Sequence, residues 1–224
     1  MNRIWITQVF GIKWFFHLKQ IFEVLSGLFW ADEKPFETFP KAKLFLKEDW
    51  IFSLYKYKDS AVKNAVWQMK YRSNRKVARF FGQQMAEILI ENKLENYILI
   101  PIPIHWRRRL ERGFNQSEWL CKEIVKAFNK NNSKEKIKTG HKIVFRKILK
   151  RVVYSKKQSW NNREMRQKNI VSVFKVRDKF KKEIVGKNIL LIDDVVTTGA
   201  TLKEARHELL IHGAASVIAL TIAY

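Results

Sequence analysis

Apolar positions along the chain fall into two rhythms. Within residues 61–92, Val62, Val66 and Met69, then Val77, Phe81, Met85, Ile88 and Leu89, recur every three or four residues, the period of a helix with one buried face. Ser73 and Asn74 interrupt that rhythm, so two helices are predicted. Residues 115–129 and 200–211 also read as helices, the second stopped by His212-Gly213. The other rhythm consists of short, uninterrupted apolar runs at residues 97–104 (YILIPIPI), 188–192 and 216–223 (SVIALTIA). Runs of this length without alternation are buried strands of a parallel sheet. Residues 143–145 and 170–176 are shorter strand candidates around a long basic connection, after a polar turn at residues 131–134. Strands alternating with helices predict an α/β fold with a mainly parallel sheet flanked by helices. Such sheets bind ligands beyond the carboxyl ends of their strands, which singles out the loops after Ile104 and Ile192.

The first thirty residues follow neither rhythm cleanly. Residues 4–30 are rich in Ile, Trp, Phe and Leu, but Lys13, His17, Lys19, Gln20 and Glu23 interrupt them. No apolar run reaches the length that spans a bilayer, and no small-x-small cleavage site follows. The pattern is that of an amphipathic helix. It either docks on the body of a cytoplasmic protein or makes a peripheral contact with a membrane surface. A division near residue 60 is expected: an N-terminal hydrophobic and amphipathic appendage at 1–60, and the main domain at 61–224.

Charge supports that division. The net charge is +23, yet residues 1–60 contribute only +2, from nine basic and seven acidic side chains. Residues 126–187 hold 21 Lys/Arg against four Asp/Glu. Such a field favours anionic partners. With Phe145, Tyr154, Trp160 and Phe174 in or near it, it suits single-stranded nucleic acid. The chain has one cysteine, Cys121, within an apolar-periodic stretch, where a small core residue is expected. No Cys-x-x-Cys pair and no clustered histidines are present, so no protein metal cluster and no zinc are predicted.

The densest chemistry follows the strand at 188–192. Asp193 and Asp194 sit at its end, then Val195-Val196, then Thr197, Thr198, Gly199, Ala200 and Thr201 as a helix begins. Gly199 permits a tight turn of converging amides, and a helix start favours a phosphate. The threonines add hydroxyl donors. Two carboxylates one strand-end away can accept hydrogen bonds from vicinal sugar hydroxyls. A simple helix cap needs one such residue, not this series. No Gly-Lys-Ser/Thr follows, which excludes a Walker loop.

Residues 189–201 resemble the signature of type I phosphoribosyltransferases. The resemblance implies that fold and a 5-phosphoribosyl-1-pyrophosphate or nucleotide site. Asp193 and Asp194 would hold the ribose hydroxyls as the catalytic pair, residues 197–201 would wrap the 5-phosphate, and magnesium would arrive on the pyrophosphate. Pro101-Ile-Pro-Ile-His105, Arg108 and Arg112-Gly-Phe-Asn-Gln116 resemble the central motif of the ComF family, phosphoribosyltransferase-like proteins tied to competence for DNA uptake. Lys70-Tyr71-Arg72 is similar to that family's upstream element, and Gln158, Arg166 and residues 169–174 to its segment before the last strands. The resemblance covers roughly residues 60–224. It implies pyrophosphate contacts at Pro103, Arg108 and Arg112, where planar guanidinium groups suit phosphate oxygens, and competence proteins or single-stranded DNA as partners. Type I enzymes close a mobile loop over the ribose; here its candidate is residues 146–169, with Gln158, Arg166 and Asn169. The family's cysteine-rich zinc ribbon has no counterpart before Cys121. Three functions remain open: a ComF-like protein linked to DNA uptake, which if active is a pentosyl transferase; a nucleobase salvage phosphoribosyltransferase; and a non-catalytic protein that binds single-stranded nucleic acid.

Overall fold

The computed structural model describes Phe39 and residues 42–94, 96–134, 143–152 and 173–224. The chain divides into two compact units, Met1–Pro40 and Lys41–Tyr224, and all described elements belong to the second. Residues 4–30 and the loop candidates Gln158, Arg166 and Asn169 lie outside the described residues. No helix among those described is long and apolar enough to cross a membrane.

Strands β1 (Phe45–Glu48) and β2 (Ile51–Tyr55) lead into helices α1 (Ser60–Tyr71) and α2 (Arg75–Glu91). Strand β3 (Tyr97–Pro101) is followed by α3 (Trp106–Arg112), α4 (Gln116–Lys134) and β4 (Val144–Phe145). A hairpin of β5 (Leu149–Arg151) and β6 (Phe174–Val176) precedes β7 (Asn188–Val195), α5 (Ala200–Ile211) and β8 (Ser216–Ala223). The main sheet has the order β1-β2-β8-β7-β3-β4. Every pairing in it is parallel except β1 with β2. The mainly parallel α/β sheet expected from the apolar runs is therefore present.

Burial follows from the pleat. Ile189 and Leu191 of β7 share a core with Leu202, Ala205 and Leu209 of α5 and with Phe174 of β6. Their neighbours Leu190 and Ile192 are equally buried and point to the opposite face, because side chains alternate along a strand. That face is covered by α4, which packs against β3, β7 and α2. Cys121 is buried in α4 as a core residue.

Three features depart from the expectations: residues 131–134 continue α4, where a polar turn was expected. The compact unit begins at Lys41, not at residue 61, because β2 pairs along β8 from Ile51–Ala219 to Tyr55–Ala223. In that buried strand Ser53 is fully enclosed and its hydroxyl pairs with that of Thr221 at 2.6 Å. The arginines after Ile104 form helix α3 where a loop was expected. This helix buries no residue, so it has no apolar stripe for a sequence pattern to reveal.

Candidate functional site

The register of the sheet sets two loops side by side. Pro101 of β3 pairs with Ile192 of β7, and the Ile102 amide donates to the Ile192 carbonyl at 3.0 Å. Past this level β7 delivers Asp193 and Asp194, and β3 delivers Pro103 and His105. Asn115 binds the start of α4 to the same place. Its side-chain amide donates to the Ile102 carbonyl (3.0 Å), while its Oδ1 accepts from the Ser117 amide (3.0 Å). Asn115 is thus both a helix cap and a tie to the strand end.

That tie positions Ser117, whose hydroxyl donates to Asp193 Oδ1 at 3.0 Å. The same oxygen accepts from the Asp194 amide at 3.0 Å. Lys70, in the last turn of α1, places Nζ 3.0 Å from Asp194 Oδ1. The acid pair is therefore asymmetric: one carboxylate meets an ammonium, the other two neutral donors. Burial pushes the Asp193 carboxyl well above its usual range, to about 7, and repulsion from Asp194 adds to the rise. The bonds from the Asp194 amide and Ser117 and the charge of Lys70 oppose it without cancelling it.

Beyond the acids the chain turns at Gly199, whose φ of 74° lies in the left-handed region. Gly199 is buried, whereas Thr197, Thr198, Ala200 and Thr201 are exposed. No side chain caps α5 at Gly199; the nearest approach is a long contact of 3.4 Å from the Ala200 amide to the Thr198 hydroxyl. A helix start left this way presents amides to an anion. An added Cβ at Gly199 would lie 3.4 Å from Ile51 Cδ1 and 3.5 Å from Glu48 Oε1. Glu48 itself is neutralised by Lys203 at 2.7 Å.

The arginines of α3 are distributed. His105 caps the helix, its Nδ1 accepting from the Arg107 amide at 3.2 Å. Burial, with Arg151, Arg107 and Arg108 around it, holds this imidazole below its ordinary value. Arg109 is turned away to Glu118 (2.8 Å), which also binds Lys147 (2.5 Å). Arg108 is exposed, and Arg112 lies over the Tyr71 ring at 5.0 Å. Gly113 has φ 77°, and a Cβ there would meet nothing within 4 Å. Its role is to reverse the chain between α3 and α4, not to let a neighbouring backbone approach.

Three side chains at this edge carried little or no sequence signal. Ser117 follows the motif that ends at Gln116, and its contact with Asp193 spans 76 positions. Arg151 arrives through the β5–β6 hairpin, close enough to Asp193 for their charges to interact. Lys70 belonged only to a weak upstream resemblance, and the fold carries it to Asp194. Gln116 is buried beside Ser117, and its Nε2 has no hydrogen-bond partner among the described residues.

Residues 126–224 match the phosphoribosyl transferase domain. The DNA utilization protein YhgH of Escherichia coli O157:H7 is 29% identical over 119 residues, 53% of this chain and 45% of that protein. The competence protein ComFC of Bacillus subtilis (strain 168) is 29% identical over 180 residues, 76% of this chain and 62% of that protein. Competence protein F of Haemophilus influenzae is 28% identical over 106 residues, 47% of this chain and 41% of that protein. The chain thus spans about half the length of the curated relatives it matches. Among solved structures, a hypoxanthine phosphoribosyltransferase from Staphylococcus aureus is similar at 12% identity and a TM-score of 0.41, over 66% of this chain and 62% of that one. The chain is thus similar to competence and DNA utilization proteins of the ComF kind, residues 126–224 match the phosphoribosyl transferase domain, and its mainly parallel sheet flanked by helices is a fold of the type I phosphoribosyltransferase class.

Proposed function

We propose that this protein binds 5-phosphoribosyl 1-pyrophosphate or a related nucleotide at the carboxyl edge of β7 and β3, and that it serves DNA uptake or utilisation. The observation that carries the proposal is the continuity of β7 into α5. A carboxylate pair ends the strand, and within a few residues the chain becomes an exposed, threonine-lined helix start without a side-chain cap. Vicinal ribose hydroxyls would donate to Asp193 and Asp194. The 5-phosphate would accept from the hydroxyls of Thr197, Thr198 and Thr201 and from the amides of residues 198–201, where the helix dipole adds attraction. Pyrophosphate would lie toward Pro103, Arg108 and Arg112. The names of the relatives supply the connection to DNA.

Magnesium fits this donor set in one manner. Among the described residues no three His, Cys, Asp or Glu side chains converge. The ion would therefore take most of its oxygen ligands from pyrophosphate and water, as magnesium commonly does. When bound it would offset charge on the leaving pyrophosphate. The protein's own part in pentosyl transfer would be to fix the ribose and to stabilise charge with preorganised donors.

Isothermal titration tests the proposal. Phosphoribosyl pyrophosphate should bind in a magnesium-dependent manner, and the combined Asp193→Asn and Asp194→Asn substitutions should abolish binding. The same double variant should lower DNA uptake or utilisation in cells. Unchanged affinity in the double variant would refute the site.

A further inference from the structure

Helix α3 carries the arginines of the proposed pyrophosphate side, yet nothing in the core holds it. It is seven residues long and buries no side chain; its apolar residues Trp106 and Leu110 are 58% and 76% exposed. A helix this short does not persist in water on its own. Arg109 is its midpoint: the Arg109 amide donates back to the His105 carbonyl at 3.0 Å, and the Arg109 carbonyl accepts from the Gly113 amide at 2.8 Å. The Arg109 guanidinium reaches both oxygens of Glu118, at 2.8 and 3.5 Å. Glu118 Oε2 also meets Lys147 Nζ at 2.5 Å. Lys147 lies just before β5, the strand that brings Arg151 toward Asp193.

Glu118 is itself buried in the first turn of α4, beside the Ser117 that bonds Asp193. Burial pushes its carboxyl up, but the bonds from Arg109 and Lys147 and their charges prevail and hold it below its ordinary value. It is therefore an anion at neutral pH, set between two half-exposed cations. We infer that Glu118 is a positioning residue: it pins α3 through Arg109 and the approach to the β5–β6 hairpin through Lys147, and so fixes where the ligand-side cations stand. Arg108 and Arg112, four positions apart, share one face of α3, and Arg109 is turned about 100° from Arg108. With Arg109 tied, Arg112 lies over Tyr71 at 5.0 Å, and Arg108 is near enough to Arg151 for their charges to interact. Like charges gathered in this way repel one another, so they keep their places only where the backbone is held. A buried anion holds it without itself meeting the ligand. That these cations serve a pyrophosphate rests on the proposed function; that Glu118 sets their places does not.

Titration calorimetry of the full chain with inorganic pyrophosphate and magnesium, and separately with ribose 5-phosphate, tests this role. Charge alone predicts that removing an acid from so basic a surface tightens pyrophosphate binding. Positioning predicts the reverse. Glu118→Gln should bind pyrophosphate about tenfold more weakly, the scale of one misplaced charge-assisted contact, and should bind ribose 5-phosphate as wild type does. Arg109→Gln should show the same selective loss, and the double variant no more than Glu118→Gln alone. Arg109 is half exposed, so its variant keeps the test open should Glu118→Gln fail to fold. Unchanged or tighter pyrophosphate binding in the folded variants would overturn the role of Glu118. So would an added loss in the double variant, or an equal loss for both ligands, which marks a general disturbance of α4. Wild type that binds pyrophosphate through Glu118 but ignores ribose 5-phosphate removes the sugar site and keeps the positioning role. Binding of ribose 5-phosphate without pyrophosphate does the opposite, and binding of neither removes both.

Discussion

Asp193 is the residue on which solution pH should act. Its carboxyl is raised from 3.8 to about 7 in the folded protein, by burial first and by Asp194 second. Across that window the folded form holds a proton that the unfolded chain has already released. Asp193 therefore costs stability as pH rises from about 4 to about 7, and below the unfolded value it costs nothing. A diol that needs a carboxylate acceptor must expel that proton. Binding of phosphoribosyl pyrophosphate should thus strengthen from about pH 6 to about pH 8 and release protons near neutrality. Titrations in two buffers of different ionisation enthalpy measure the release; none at pH 6.5, or affinity that falls with rising pH, would contradict the role of Asp193. At this scale the sequence was readable where the chemistry is contiguous. Asp193, Asp194 and the threonines announce themselves because strand, turn and helix start follow one another. Ser117, Arg151 and the contact of Lys70 were hidden because each reaches the acids through tertiary packing.

At the scale of elements, the helices with an apolar period were legible to within a residue or two: α1, α2 and α5 fall where the patterns of residues 61–92 and 200–211 predicted them. Elements without a stripe were not. β1 carries Lys47 and Glu48 at a half-exposed edge, β5 is only three residues, and α3 buries nothing. The α2–α4 contact gives a prediction specific to packing. A Cβ at Gly82 would lie 2.5 Å from Glu123 Cβ and 3.2 Å from the Glu123 carbonyl carbon. Alanine would gain up to about 1 kcal/mol in helix propensity, whereas forcing apart two packed helices costs about 1–3 kcal/mol. The second effect should win, and Gly82→Ala should lower stability in urea unfolding. Stability equal to or above wild type would show that the helices separate without strain. α4 also carries Asn115 and Ser117 at its start, so a displaced α4 would loosen the acid pair as well.

For the molecule as a whole, the parallel order of β8, β7 and β3 sets the proposed site. It brings the end of one strand, with its acids and threonine-lined turn, level with the end of another, with its proline and arginine segment. Alternating apolar runs and helical periods predicted this class of fold, because long buried strands separated by helices have few other ways to pack. The contribution of β1 and β2 was not predicted. They join the sheet beyond β8, and pairing at that distance along the chain leaves no local trace. The central claim is that the β7–α5 junction grips a phosphorylated ribose. A crystal structure of the protein with phosphoribosyl pyrophosphate and magnesium tests it most directly. The account predicts the 5-phosphate within hydrogen-bonding distance of the Thr197, Thr198 and Thr201 hydroxyls and the neighbouring amides, with the ribose diol on Asp193 and Asp194. An ordered ligand bound elsewhere, with that junction unchanged and unoccupied, would contradict it.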